Sequence, residues 1–221
     1  MVVFTKAYPL RHIGHLDLMR TMQRALRRSG LPIKYSRGYN PHIKLSFASP
    51  LSVGVTGERE IMDVQMDAAM DETAFAAALQ KVMPGGLPVV GARAIGDSFP
   101  TLMGLAAGSR YRIETETDPA ELADAVRRLL LMDEYIAMRK TKSGEAMANI
   151  LPFIEKLTTG ETAVRFTALN LQSGSLKPAV LMQALFDIAG KEPCGYTVIR
   201  EAILARDAQG DLVPLEEIAH E

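Results

Sequence analysis

The hydrophobic period changes in a fixed order along the first hundred residues, and that order limits the folds open to the chain. Val2 to Tyr8 reads as a strand, and Leu16 to Ser29 repeats at helical spacing before Gly30 and Pro32 stop it. Ile43, Leu45 and Phe47 then alternate with polar or small residues, as do Met62, Val64 and Met66 with Asp63 and Gln65, which predicts two half-buried strands. Asp71 caps an Ala-rich helix to about Met83, Pro84-Gly85-Gly86 ends it, and an apolar stretch follows from Leu87 to Ile95. The resulting order is β-α-β-β-α-β. Because each β-α-β unit needs a crossover helix and each sheet face needs cover, a ferredoxin-like α+β domain follows.

From Asp97 to Ser109 the chain is rich in Gly, Ser and small residues and reads as a linker, with a boundary near residue 105. Beyond it come a strand from Tyr111 to Thr117 and a helix opened by Asp118-Pro119 and running to Met132. Strands are predicted at Tyr135 to Thr141, Ala148 to Leu157 and Ala163 to Leu169, a helix at Ser175 to Ile188, and a strand at Tyr196 to Ala205. The split pattern recurs with an extra strand. The expected architecture is two tandem ferredoxin-like (split β-α-β) domains with antiparallel sheets, at 1–100 and 106–221, on topological grounds alone because no internal repeat accompanies it.

Charge is distributed unevenly over this plan. Nine of the 25 basic residues and one of the 26 acidic residues fall in the first 57 positions, so that stretch carries +8 and the remainder −9. Such asymmetry points to an anionic partner. The lone Cys194 excludes an internal disulfide and cannot supply the three or four thiolates of an iron–sulfur cluster or cysteine zinc site. With no apolar run near the roughly 20 residues of a membrane span, a cytoplasmic, unprocessed protein is expected.

Within the basic stretch, Asp17, Arg20, Arg24, Arg27 and Arg28 fall within about 100° on a helical wheel, opposite Leu18, Met22, Ala25 and Ser29. One face packs and the other presents guanidinium groups, with Asp17 placed to orient Arg20. The following loop interleaves Lys34, Arg37 and Lys44 with Tyr35, Tyr39, Asn40 and His42, around Gly38 and Pro41. Cations that track phosphates beside aromatic faces that stack on bases make this a binding-loop composition; a plain turn with both tyrosines in the core is the alternative. His12 and His15 sit at the strand-to-helix junction, where His15 suits capping or phosphate contact. With Asp17 and His42 they lack a persuasive metal spacing. Cys194 has no histidine near it in sequence, no P-loop or Rossmann fingerprint is present, and the methionines, Met138 and Met147 among them, read as core fillers. The acidic stretch from Glu201 to Glu221 is a candidate to dock on the basic surface.

FTK near the start, HLDLMR (15–20), RALRRSGLPIKYSRGYNPH (24–42), KLSFASPLSVGV (44–55), ILPFIEKL (150–157) and GSLKPAVLMQALF (174–186) resemble the radical-SAM-linked proteins, a bacterial domain of unknown function. That family usually has Ser at position 14 and Phe at position 39. Its members occur beside, or fused to, a cobalamin-binding radical SAM protein. The resemblance therefore implies a partner that carries the iron–sulfur cluster, S-adenosylmethionine and cobalamin, with no cofactor in this chain. Three functions are expected from these observations. The first is a non-catalytic accessory module that holds an anionic substrate, RNA, through the 12–44 surface. The second is an RNA-processing enzyme using His15 or His42, since tandem ferredoxin-like domains with an early His look, at fold level, like the CRISPR repeat endoribonucleases. The third is a protein-docking module with no nucleic acid.

Overall fold

The computed structural model describes residues 1–141 and 144–218. In chain order its elements are β1 (Val2–Lys6), α1 (His15–Arg28), β2 (Leu45–Phe47), β3 (Val55–Val64), α2 (Glu72–Gln80), β4 (Val89–Ala92), α3 (Leu102–Leu105), β5 (Gly108–Thr115), α4 (Pro119–Leu130), β6 (Ile136–Thr141), β7 (Gly144–Asn149), β8 (Ile154–Thr159), β9 (Val164–Leu171), β10 (Gly174–Ser175), α5 (Pro178–Ala189), β11 (Tyr196–Arg206), β12 (Leu212–Pro214) and α6 (Leu215–Ile218). They form two compact α+β units. One comprises residues 1–106 with the segment from Ala202 onward, the other Ala107–Glu201.

In the first unit β1 runs antiparallel to β3 on one side and to β4 on the other, and β2 runs antiparallel along β3 with Leu45 opposite Val64. Side chains on a strand alternate between faces, so Val2, Phe4, Met62 and Val64 point one way while Val3 and Ile61 point the other. The first set meets Leu18, Met22, Ala25 and Leu26 of α1 and Phe75 and Leu79 of α2. The second meets Leu102 of α3, Ile203 and Ala205 of β11 and Leu215 of α6. β1 and the end of β3 are thus buried on both faces, where the alternation of Met62 and Val64 with Asp63 predicts a half-buried strand. This also corrects the linker reading of 97–109. Thr101 caps α3 by accepting from the Gly104 N–H at 3.2 Å, Leu102 is buried, and Gly108 and Ser109 already belong to β5.

The cap on α2 is as predicted: the Asp71 carboxylate accepts from the Ala74 N–H at 2.8 Å. Asp71→Ala is expected to cost about 1 kcal/mol by orphaning that donor, measured by urea denaturation, with Asp71→Ser retaining most of the stability.

In the second unit β9 lies between β5 and β8, antiparallel to both, and β10 adds along β9. β6 and β7 make a separate two-stranded sheet. Where one strand is expected from Ala148 to Leu157, the chain instead turns through Leu151–Phe153, because Pro152 cannot donate to a ladder. α4 and α5 bury Leu122, Val126 and Leu129 and Leu181, Leu185 and Phe186, and Pro178 occupies the first turn of α5, where its missing N–H costs nothing. Among the described residues no helix is long and apolar enough to cross a membrane.

Candidate functional site

The segment from His12 to Lys44 is held in place by the apolar residues between its polar ones. Leu18, Met22, Ala25 and Leu26 seat α1 on the sheet, and Leu31, Ile33 and Ile43 seat both roots of the following loop in the same core. What remains outward is the polar face. Asp17, Arg20, Arg24, Arg27 and Arg28 are all exposed, as the wheel predicts.

These arginines differ in their partners. Arg20 pairs with Asp17 at 3.1 Å, so Asp17 orients it and also favours the positive end of the helix. Arg28 reaches away, its Nη2 donating to the Val82 carbonyl at 2.8 Å beyond the C-terminus of α2. Arg24 and Arg27 have no carboxylate partner among the described residues, and neither do Lys34, Arg37 and Lys44.

The loop from Lys34 to Lys44 is a short hairpin. Tyr35 bridges Ile43, the Lys44 N–H donates to the Lys34 carbonyl at 3.0 Å, and the Ser36 N–H donates to the His42 carbonyl at 2.8 Å. Its root is fastened to the chain beyond β3: the Lys34 N–H donates to the Gln65 carbonyl and the Gln65 N–H to the Lys44 carbonyl. At the tip Gly38 has φ +125°, a conformation open to glycine and costly for other residues. Tyr39 is fully exposed at 106 % and Tyr35 is exposed at 41 %, so the core-packed alternative for these rings does not hold. His42 is anchored twice, its backbone N–H donating to Ser36 Oγ at 3.0 Å and its Nδ1 lying 2.9 Å from the Asn40 carbonyl. A carbonyl oxygen only accepts, so Nδ1 of this exposed residue carries the hydrogen.

The histidines are not brought into one cluster. His12 is exposed, and the His15 ring packs edge-on against Phe47 with centroids 5.4 Å apart. The cap of α1 is Gly14, which makes no side-chain hydrogen bond, so His15 occupies the first helical position and not the cap. Among the described residues no three His, Cys, Asp or Glu side chains converge to hold a metal. Two carboxylates of the acidic tail pair elsewhere, Glu216 with Arg59 and Glu201 with Arg112; residues 219–221 lie outside the described part.

Two features escaped the sequence. Lys6 belongs to the +8 stretch yet is buried, and its Nζ donates to the carbonyls of Arg11 and Ile13 at 3.0 Å and of Val55 at 3.3 Å. It pins the turn that carries His12 into α1. A lysine inside a short apolar strand is the only signal of this. In the second unit, a groove of about 400 Å³ runs between β6–β7 and α5, lined by residues that include Ile136, Met138, Met147, Val180, Ala184 and Asp187. Met138 and Met147 face solvent there, so they are not core fillers. In the same unit, hydroxyls of Thr115 and Thr117 beside Cys194 hold its thiol below the ordinary range.

Residues 1–178 match a family described as an uncharacterized protein conserved in bacteria (DUF2344). No curated protein matches the chain.

Proposed function

We propose, from the premise that the chain belongs to this bacterial family, that it is a non-catalytic recognition module which holds an RNA substrate through the 12–44 surface for a radical SAM enzyme. One observation carries the substrate half of this reading: five exposed cations without carboxylate partners among the described residues, Arg24, Arg27, Lys34, Arg37 and Lys44, flank a fully exposed tyrosine. An ordinary solvated face mixes charge signs and buries its rings; a phosphate-tracking surface does neither. The partner half rests on the motif resemblance and on cysteine content. A cluster needs three or four thiolates and this chain has Cys194 alone, so the iron–sulfur cluster, S-adenosylmethionine and cobalamin belong to the partner. We read each unit as a split β-α-β fold; the β4-β1-β3-β2 order of the first and the placing of β9 between β5 and β8 in the second support that reading.

The test is crosslinking and sequencing of RNA retained by the full chain from host lysate, beside the double substitution Arg24→Glu/Arg27→Glu. A defined RNA is expected in the wild type, lost in the double variant, and bound with an affinity that falls linearly in log–log form with salt. Equal recovery with both proteins would remove the reading in favour of protein docking.

A second reading is favoured by His42 alone. With Nδ1–H spent on Asn40, the Nε2 of this exposed ring is left to move a proton, as a ribonuclease general acid or base requires. RNA cleavage that disappears in His42→Ala with binding unchanged would establish it, and cleavage that survives would dismiss it.

A further inference from the structure

The hairpin register places like charges together. With Tyr35 opposite Ile43, Lys34 stands directly opposite Lys44 and Ser36 opposite His42, all on the face turned away from buried Ile43. Like charges directly across an antiparallel pair destabilise it, and neither lysine has a carboxylate to relieve it among the described residues. An anion over that rung would offset the repulsion. Beyond the rung, the chain turns at Gly38 and lifts Tyr39 wholly into solvent, while the two hydrogen bonds of His42 hold the tip in shape. A preorganised aromatic face at the end of a cationic rung suits a base stacked on the ring with its phosphates over the lysines.

We infer that Tyr39 is the stacking platform for an unpaired base, with Lys34, Lys44 and His42 facing the adjoining phosphates, so that the ligand class is single-stranded or looped RNA and not duplex. This rests on the RNA reading above and goes further by naming the strandedness and the ring. In an A-form duplex both faces of each base are already stacked on neighbours, and a lone ring on a loop has nothing to cover. Tyr35 has no part in the stacking, because it lies on the Ile43 side of the ladder, closer to the core.

The experiment is fluorescence anisotropy of the full chain with an unstructured RNA oligonucleotide and with the same sequence as a duplex, over a salt series, for the wild type, Tyr39→Ala, Tyr39→Trp and Lys34→Gln/Lys44→Gln. The single strand is expected to bind more tightly than the duplex. Tyr39→Ala should weaken single-strand binding roughly tenfold with the salt slope unchanged, and Tyr39→Trp should retain it. The lysine double should lower the slope by about 1.4, two phosphates at roughly 0.7 each. Wild-type affinity in Tyr39→Ala alongside a loss in the lysine double would overturn the stacking inference and leave the RNA reading standing, as would equal binding of the duplex. Failure of the wild type to bind either RNA would overturn both and make the surface a protein contact.

Discussion

Phe47→Ala is expected to destabilise the chain by about 3–5 kcal/mol, the range for removing a large buried aromatic side chain, and to detach the site from its support in the same step. Phe47 is buried at 3 % exposure, its ring lies 6.0 Å from that of Phe4, and it packs against His15 at the start of α1. β2 has only three residues, so few other groups hold it against β3. Its aromatic ring is one of the links between the sheet, the base of the 34–44 hairpin and the helix that carries the arginines. Chemical denaturation followed by circular dichroism measures the loss, and the His15 ring resonances in the native state of Phe47→Leu report whether the helix start has moved. A loss below about 1 kcal/mol would show that β2 stands outside the cooperative core.

Lys44→Glu should separate stability from binding. In the wild type, Lys34 and Lys44 face each other across the ladder; reversing one charge turns repulsion into attraction, which raises stability by about 0.5–1 kcal/mol at low ionic strength and less in high salt. The same change places a carboxylate where a phosphate is to sit. Affinity for single-stranded RNA is expected to fall roughly tenfold to a hundredfold, the worth of a charge-assisted hydrogen bond. A variant that is both more stable and weaker in binding is the mark of a residue kept for its ligand. If Lys44→Glu lowers stability and leaves RNA affinity intact, the rung is an accident of surface composition.

Charge and period were informative to different depths. The amphipathic pattern of α1 was readable because a helix of 14 residues repeats its apolar face often enough to define a direction; Leu18, Met22 and Ala25 are buried as that pattern requires, while Ser29 is the half-buried C-cap and Leu26, on the flank of the face, is buried in its stead. Asp71 was readable because a cap is local chemistry, satisfied within three residues. Short apolar segments carried less. A four-residue helix such as α3 has no period to detect, and its Leu102 shares a core with Val3, Ile61, Ile203 and Leu215, which are distant in the chain. Met138 and Met147 alternate as core residues do, yet β6 and β7 pair only with each other and leave them in solvent.

The candidate site divides along the same line. From the sequence by itself came its composition: a basic, tyrosine-bearing loop next to an arginine-faced helix, in a chain with one cysteine. Those properties belong to residue identity and near-neighbour spacing, which need no fold to be counted. Tertiary structure alone decided which groups are available. It turned Lys6 inward to three carbonyls, drew Arg28 onto Val82, packed His15 against Phe47, left Tyr39 uncovered and set Lys34 against Lys44. Each outcome depends on a partner 5 to 54 residues away along the chain, or on the lack of any. Burial and ladder register are set by the packing of distant segments, and no local pattern encodes them.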